Sequence, residues 1–221
     1  LADAEVEYKD HKSNTIYAEF QVKKSEKDFL NGTSIIIWTT TPWTIPANKA
    51  LAYNKDINYS ILELKNKKII IAEKLIDSVV ENCELGKFKI LKSFKGEVFK
   101  NTLCSHPFKN LGYNFDVPMY EANFVTLEQG TGIVHCAPSH GPDDFNLCLK
   151  HGIKAIETVN NDGRYTKNIP VFEGTHVFKA DEIIIKNLEE QKNLLGNGTL
   201  VHSYPHSWRS KAPLVHRATP Q

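Results

Sequence analysis

The chain has 221 residues, of which 41% are hydrophobic and 24% charged, a balance that fits a globular domain with a sizeable core and excludes a disordered or fibrous chain. Its 27 basic and 26 acidic side chains leave a net charge of +1, which excludes a grip on nucleic acid through bulk positive charge but allows a local patch. The four cysteines (Cys83, Cys104, Cys136 and Cys148) form no CxxC pair and do not make a disulfide scaffold. No apolar run reaches membrane-spanning length, and the polar N-terminal stretch lacks a signal-peptide core; a soluble, cytoplasmic monomer is expected. The start at Leu1 and abrupt close at Gln221 read as a segment of a longer protein.

In chain order, Thr15 to Val22 alternates and is rich in β-formers. Ser34 to Thr40 is a short apolar run stopped by Pro42, as in a buried strand. Tyr59–Leu64 and Lys68–Ala72 flank Lys65-Asn66-Lys67 as a hairpin. Glu73 to Asn82 follows as a short helix with Leu75, Ile76, Val79 and Val80 on one face. Phe88–Phe94 and Ala122–Leu127 read as strands, then a turn at Gln129–Gly132 leads into a strand over Ile133–Cys136. Asp143 and Asp144 suit the start of a helix running to Lys150, with Gly152 closing it. Asp181 to Leu195 has the clearest helical period, and Val201 to Gln221 reads as a polar connection. These elements predict a single α+β domain over residues 1–221, β-rich, with a curved or barrel-like sheet and a few peripheral helices. Residues 1–14 and 201–221 are expected to be connections to another domain.

Two clusters stand out. In Trp38–Asn48 (WTTTPWTIPAN), Thr39, Thr40, Thr41 and Thr44 crowd the end of an apolar strand, and Pro42 and Pro46 stop the ladder. Hydroxyls and main-chain groups released there can hold a ribose, a carbonyl or a water without charge; a Thr-rich strand end with a Pro turn is the plain alternative. In Gly130–Phe145 (GTGIVHCAPSHGPDDF), His135 and Asp144 bracket a Pro/Gly loop. A carboxylate there can take a substrate ammonium, and His135 can serve as a base or as a steric wall; helix capping by Asp144 and plain packing of His135 account for the same pattern. His135, Cys136, His140, Asp143 and Asp144 lie close in sequence but fit neither HExxH nor a zinc deaminase pattern. No metal and no cofactor are expected. No GxSxG elbow is present either.

Together the two clusters resemble the editing domain of class I aminoacyl-tRNA synthetases for branched aliphatic amino acids. WTTTPWTIPAN is similar to the threonine-rich peptide of the isoleucyl enzymes. The valyl and leucyl relatives carry arginine where this chain has Thr41. Ser203–Gln221 (SYPHSWRSKAPLVHRATPQ) resembles the segment returning to the catalytic domain, with Ser207 and Ser210 where isoleucyl enzymes often have cysteine. The HIGH and KMSKS signatures of amino acid activation are absent from these 221 residues. The resemblance implies hydrolytic removal of valine from tRNA(Ile), with valyl-adenylate as a second possible substrate. The partners it implies are the acceptor end of the tRNA and the rest of an ATP-using synthetase. It implies a catalytic group of Thr39, Thr40, Thr41 and Asp144. It also implies substrate contacts from Trp43, Thr44, Asn48, His135 and Asp144, with His135 as the wall against isoleucine and Asp144 on the α-ammonium. Asn48 is equally readable as a residue that fixes the loop after Pro46. A non-enzymatic RNA-docking module is the competing class.

Overall fold

The computed structural model describes residues 2–219; Leu1, Pro220 and Gln221, which fall within the expected connections, lie outside the described residues. Ten strands of the described residues make one sheet. They are β1 (Val6–Lys24), β2 (Ser34–Thr39), β3 (Ala50–Tyr53), β4 (Asn58–Glu63), β5 (Lys68–Ala72), β6 (Lys89–Lys95), β7 (Leu103–Ser105), β8 (Asp116–Glu121), β9 (Ile133–Cys136) and β10 (Leu194–Ser207). The helices α1 (Ile76–Asn82), α2 (Pro142–Lys150) and α3 (Ala180–Glu190) sit outside it. The strand order is β6-β4-β5-β2-β1-β7-β8-β3-β9, with β10 added to β1. The fold is β-rich α+β, as expected, with a curved sheet that stays open.

The 19-residue β1 is the spine. Its first part pairs with β10, from Val6↔Ser207 to Ala18↔Leu194. Its middle pairs with β2, and its end with β7. One strand therefore serves three neighbours in turn, and the sheet must bend around it. Ile16, Ala18 and Phe20 on β1, Ile35 to Ile37 on β2 and Ile69 to Ile71 on β5 are fully buried and form the centre of the core.

The curl is held by the Gly130-Thr131-Gly132 turn. The Thr131 hydroxyl donates to the Ile36 carbonyl at 2.6 Å, and its own carbonyl accepts from Ala72 N–H at 2.8 Å. Tyr59 donates to the Gly132 carbonyl at 2.6 Å. Gly132 has φ +81°, and a Cβ there would stand 2.5 Å from the Ala72 Cβ. Only glycine allows this approach.

Several expectations are corrected. Ala122–Leu127 forms no strand; the strand is the preceding Asp116–Glu121, and the chain then turns toward the Gly-rich loop. The helix expected to reach Leu195 ends at Glu190, because Lys192 turns left-handed (φ 60°). Asn193 N–H bonds to the Leu188 carbonyl and Lys192 N–H to the Glu189 carbonyl, closing α3 in a Schellman turn. Leu194 and Leu195 belong to β10, as do residues 201–207 of the tail. The α2 end is as expected, with Gly152 at φ +77° and Ile153 N–H on the Cys148 carbonyl.

Candidate functional site

The threonine-rich segment leaves β2 at Thr39 and forms a tight 3-10 turn over Pro42–Ala47. Thr39 Oγ1 accepts from Thr41 N–H and lies 3.1 Å from Thr41 Oγ1. The Thr44 hydroxyl donates to the Thr41 carbonyl at 2.9 Å. Three distant residues then hold the turn. Tyr165 donates to the Trp43 carbonyl at 2.5 Å. His106 Nε2 lies 3.0 Å from the Ile45 carbonyl, and His135 Nε2 lies 2.8 Å from Thr44 Oγ1.

The proton positions follow from the partners. Asn48 Nδ2 contacts both the Ala50 carbonyl and His135 Nδ1 at 2.9 Å. A carbonyl only accepts, so the Asn48 nitrogen is the donor and His135 Nδ1 accepts. His135 Nε2 then carries the hydrogen and donates to Thr44 Oγ1, whose own hydrogen goes to Thr41. His135 is buried, and burial lowers its pKa to about 3, with His140 lowering it further. It is neutral, with both nitrogens engaged. As it stands, His135 is held in place and is not a free base. Asn48 is fully buried and bridges β3 to β9, which suits a structural duty.

The second loop, Ala137 to Gly141, leads into the acidic first turn of α2. Asp144 Oδ2 accepts from Ala137 N–H at 2.8 Å, two residues past His135. Burial raises the Asp144 pKa to about 6, the Ala137 N–H opposes this, and neighbouring Asp143 adds to the rise. His140 packs edge-on to Trp43 at 4.8 Å between ring centroids and so joins the two loops. Its Nδ1 faces the His216 carbonyl and its Nε2 the Thr158 hydroxyl, both at 2.7 Å. Burial lowers its pKa to about 4.

The predicted residues thus divide. Thr39, Thr41, Thr44, Asn48 and His135 form one hydrogen-bonded array. Thr40, Thr41 and Trp43 line a cavity of about 320 Å³ between the threonine turn, α3 and the β1–β10 ribbon. Asp144 joins the array only through the backbone, beside a second hollow of about 360 Å³ lined by Pro138, Gly141, Phe145 and the C-terminal segment. That segment bonds back to the loop, with Ala218 N–H on the Ser139 carbonyl. Sequence reasoning missed His106, Tyr165 and Asp181, which support or line the turn from far along the chain. Among the described residues, no three His, Cys, Asp or Glu side chains gather closely enough to hold a metal ion. No helix of the described residues is long and apolar enough to cross a membrane.

A sheet that curls around a threonine turn, with a histidine strand and an acidic helix start beside it, is the arrangement of a synthetase editing module. Residues 11–196 match the family described as leucyl-tRNA synthetase, editing domain, and the chain belongs to that family. Among curated proteins it is 70% identical to the isoleucine–tRNA ligase of Pelagibacter ubique over its whole length, covering 25% of that protein. It is 44% identical to the ligase of Gluconobacter oxydans, again over the whole chain and 25% of the relative. The chain thus spans about a quarter of the length of these relatives. The crystal structure of GlLeuRS-CP1 superposes with a TM-score of 0.63 at 12% identity, over 81% of this chain and 97% of that one, and shares its fold.

Proposed function

We propose that this chain hydrolyses the ester of valyl-tRNA(Ile), as the proofreading module of an isoleucine–tRNA ligase. Valine and isoleucine differ by one methylene, a difference too small for one binding pocket to read accurately; the isoleucyl enzymes are the standard instance of that limit. A second, hydrolytic site must admit valine and reject isoleucine. The observation that carries the proposal is the buried, uncharged array Asn48–His135–Thr44–Thr41, which fixes Thr41 at the wall of the cavity of about 320 Å³. Thr41, in place of the arginine of valyl and leucyl relatives, favours the isoleucyl type.

In this scheme Asp144 takes the α-ammonium of the aminoacyl group. The hydroxyls of Thr39, Thr40 and Thr41, with main-chain amides, hold the ester carbonyl and a water. The water oxygen attacks the carbonyl carbon, and donors on the threonine turn stabilise the oxyanion. The bond to the ribose oxygen then breaks, the ribose oxygen takes up a proton, and valine leaves as the free acid. With His135 fully hydrogen-bonded, the rate comes from positioning more than from a protein base. The rest of the ligase brings the tRNA acceptor end in the cytoplasm.

The test is a titration with non-hydrolysable valyl- and isoleucyl-adenosine analogues, followed by deacylation of valyl-tRNA(Ile). Preference for the valyl compound that disappears in Asp144→Ala supports the proposal. Equal binding of both analogues removes the sieve, and binding of tRNA without ester hydrolysis points to a docking module.

A further inference from the structure

The C-terminal segment crosses the site between its two hollows. Pro213 and Val215 line the cavity of about 320 Å³ together with Thr40, Thr41 and Trp43. His216 and the residues up to Thr219 line the hollow of about 360 Å³. The segment is pinned on both sides of the crossing. Leu214 N–H bonds to the Pro205 carbonyl at 3.0 Å, and Ala218 N–H to the Ser139 carbonyl at 2.7 Å. At the crossing itself, His140 Nδ1 lies 2.7 Å from the His216 carbonyl.

Both ring nitrogens of His140 are committed. A carbonyl only accepts, so Nδ1 carries the hydrogen and donates to His216. Nε2 then offers only a lone pair, and the Thr158 hydroxyl donates to it at 2.7 Å. This tautomer is the reverse of the one at His135. The ring also meets Trp43 edge-on, with centroids 4.8 Å apart, an attractive arrangement between flat rings. Burial lowers the His140 pKa, so the ring is neutral and this arrangement of donors persists near neutral pH. No polar atom of the ring is left for a substrate.

Trp43 and Val215 stand in the wall of one cavity. His140 touches the Trp43 ring and holds the carbonyl of the residue after Val215. It also belongs to the loop whose Ala137 N–H bonds to Asp144. One side chain thus sets the threonine turn, the C-terminal segment and the start of α2 relative to one another. Thr158 fixes which nitrogen donates, and so which way the clamp faces. Resting on the function proposed above, we propose that His140 is a positioning residue for the ester hydrolysis, which holds the Trp43 ring and the Pro213–Ala218 segment as two walls of one substrate cavity. It acts through its Nδ1–H and its contact with Trp43, and it touches no reacting atom.

Three variants test this by kinetics. His140→Ala should raise the KM for valyl-tRNA(Ile) about tenfold, the upper value of one neutral hydrogen bond. Its kcat should stay within about threefold, because a binding wall is lost and no reacting group is. His140→Asn puts an amide N–H where Nδ1 stood and should return KM to within about threefold of normal. His140→Gln puts its amide where Nε2 stood, keeps Thr158 and loses His216, so it should behave as His140→Ala. Ring 15N resonances of the unaltered chain should show His140 protonated at Nδ1 and His135 at Nε2, with neither titrating between about pH 8 and pH 6. An Nε2–H tautomer at His140, a KM within about twofold of normal in His140→Ala, or equal rescue by Asn and Gln overturns the assignment. Normal hydrolysis by the unaltered chain alongside any of these spares the proposed function. Titration of the same four proteins with the non-hydrolysable valyl-adenosine analogue separates the two proposals. If the unaltered chain binds the analogue without hydrolysing the ester, the proposed function falls. Affinities that weaken in Ala and Gln and recover in Asn then still support the positioning role, and affinities alike in all four overturn it. Neither binding nor hydrolysis by the unaltered chain overturns both.

Discussion

The two loops of the site are built on opposite principles. The threonine turn is fixed by neutral groups: Tyr165 on Trp43, His106 on Ile45, and His135 on Thr44. Both histidines have pKa values lowered to about 3 by burial, so nothing there changes charge near neutrality. The Ala137–Gly141 loop is held instead by Asp144, whose pKa is raised to about 6, and by a C-terminal segment that bonds to Ser139 and His140. The threonine turn is neutral throughout, and the charge sits in the first turn of α2. The function proposed above uses both, and their separation lets each be altered alone.

The largest effect should come from Asp144. Asp144→Ala should slow valyl-tRNA(Ile) deacylation by about a hundredfold, the value of a lost ion-pair hydrogen bond, measured as release of radiolabelled valine. A near-normal rate would move the ammonium anchor elsewhere. Next, His135→Ala should open the wall. Isoleucyl-tRNA should become a substrate, and calorimetric unfolding should show a loss of about 1–3 kcal/mol, because Thr44 and Asn48 lose a partner. Isoleucine that stays protected would mean that His135 is not the wall.

The pH profile sharpens the contrast. Deacylation should fall as pH drops through about 6, where Asp144 takes a proton. The inflection belongs in kcat/KM, which reports the free protein, and a bound ammonium should shift it lower in kcat. Stability carries the opposite sign. A carboxyl raised from 3.8 to about 6 in the folded state costs stability above pH 6, and the cost is relieved as pH falls below 4. Asp144→Asn should therefore raise the Tm at pH 7.5 and lose that gain at pH 4. His135 and His140 behave conversely. Their pKa values fall from 6.5 to about 3 and about 4, so their burial contributes stability above pH 6.5 that is lost in acid. The smallest effect is expected of Thr41→Ala, a few-fold in rate, since Thr39, Thr40 and the main chain still hold the ester.

Much of this was legible in the sequence where the signal is local. β2, β4, β5, β9 and α2 follow from apolar runs, a hairpin and a Gly stop within short windows. β3, β7 and β8 did not stand out. They have four, three and six residues, and β8 contains Pro118 opposite Leu103, so nonlocal pairing sustains them. β10 mixes apolar and polar residues without alternation, and its register with β1 makes it a strand. Both site clusters were visible as unusual composition. The groups that fix them were not: His106 lies 61 residues from Ile45, and Tyr165 lies 122 from Trp43. A single His or Tyr in a sequence carries no mark of so distant a partner.

Gly132 approaches Ala72, and β9 begins at the next residue and carries His135. A methyl group added there would push the β9 turn off β5, and His135 would shift with it. The placing of His135 thus depends on a close contact three residues before it, just ahead of the strand that carries it. Drift in proofreading accuracy can therefore arise from substitutions that never touch a substrate.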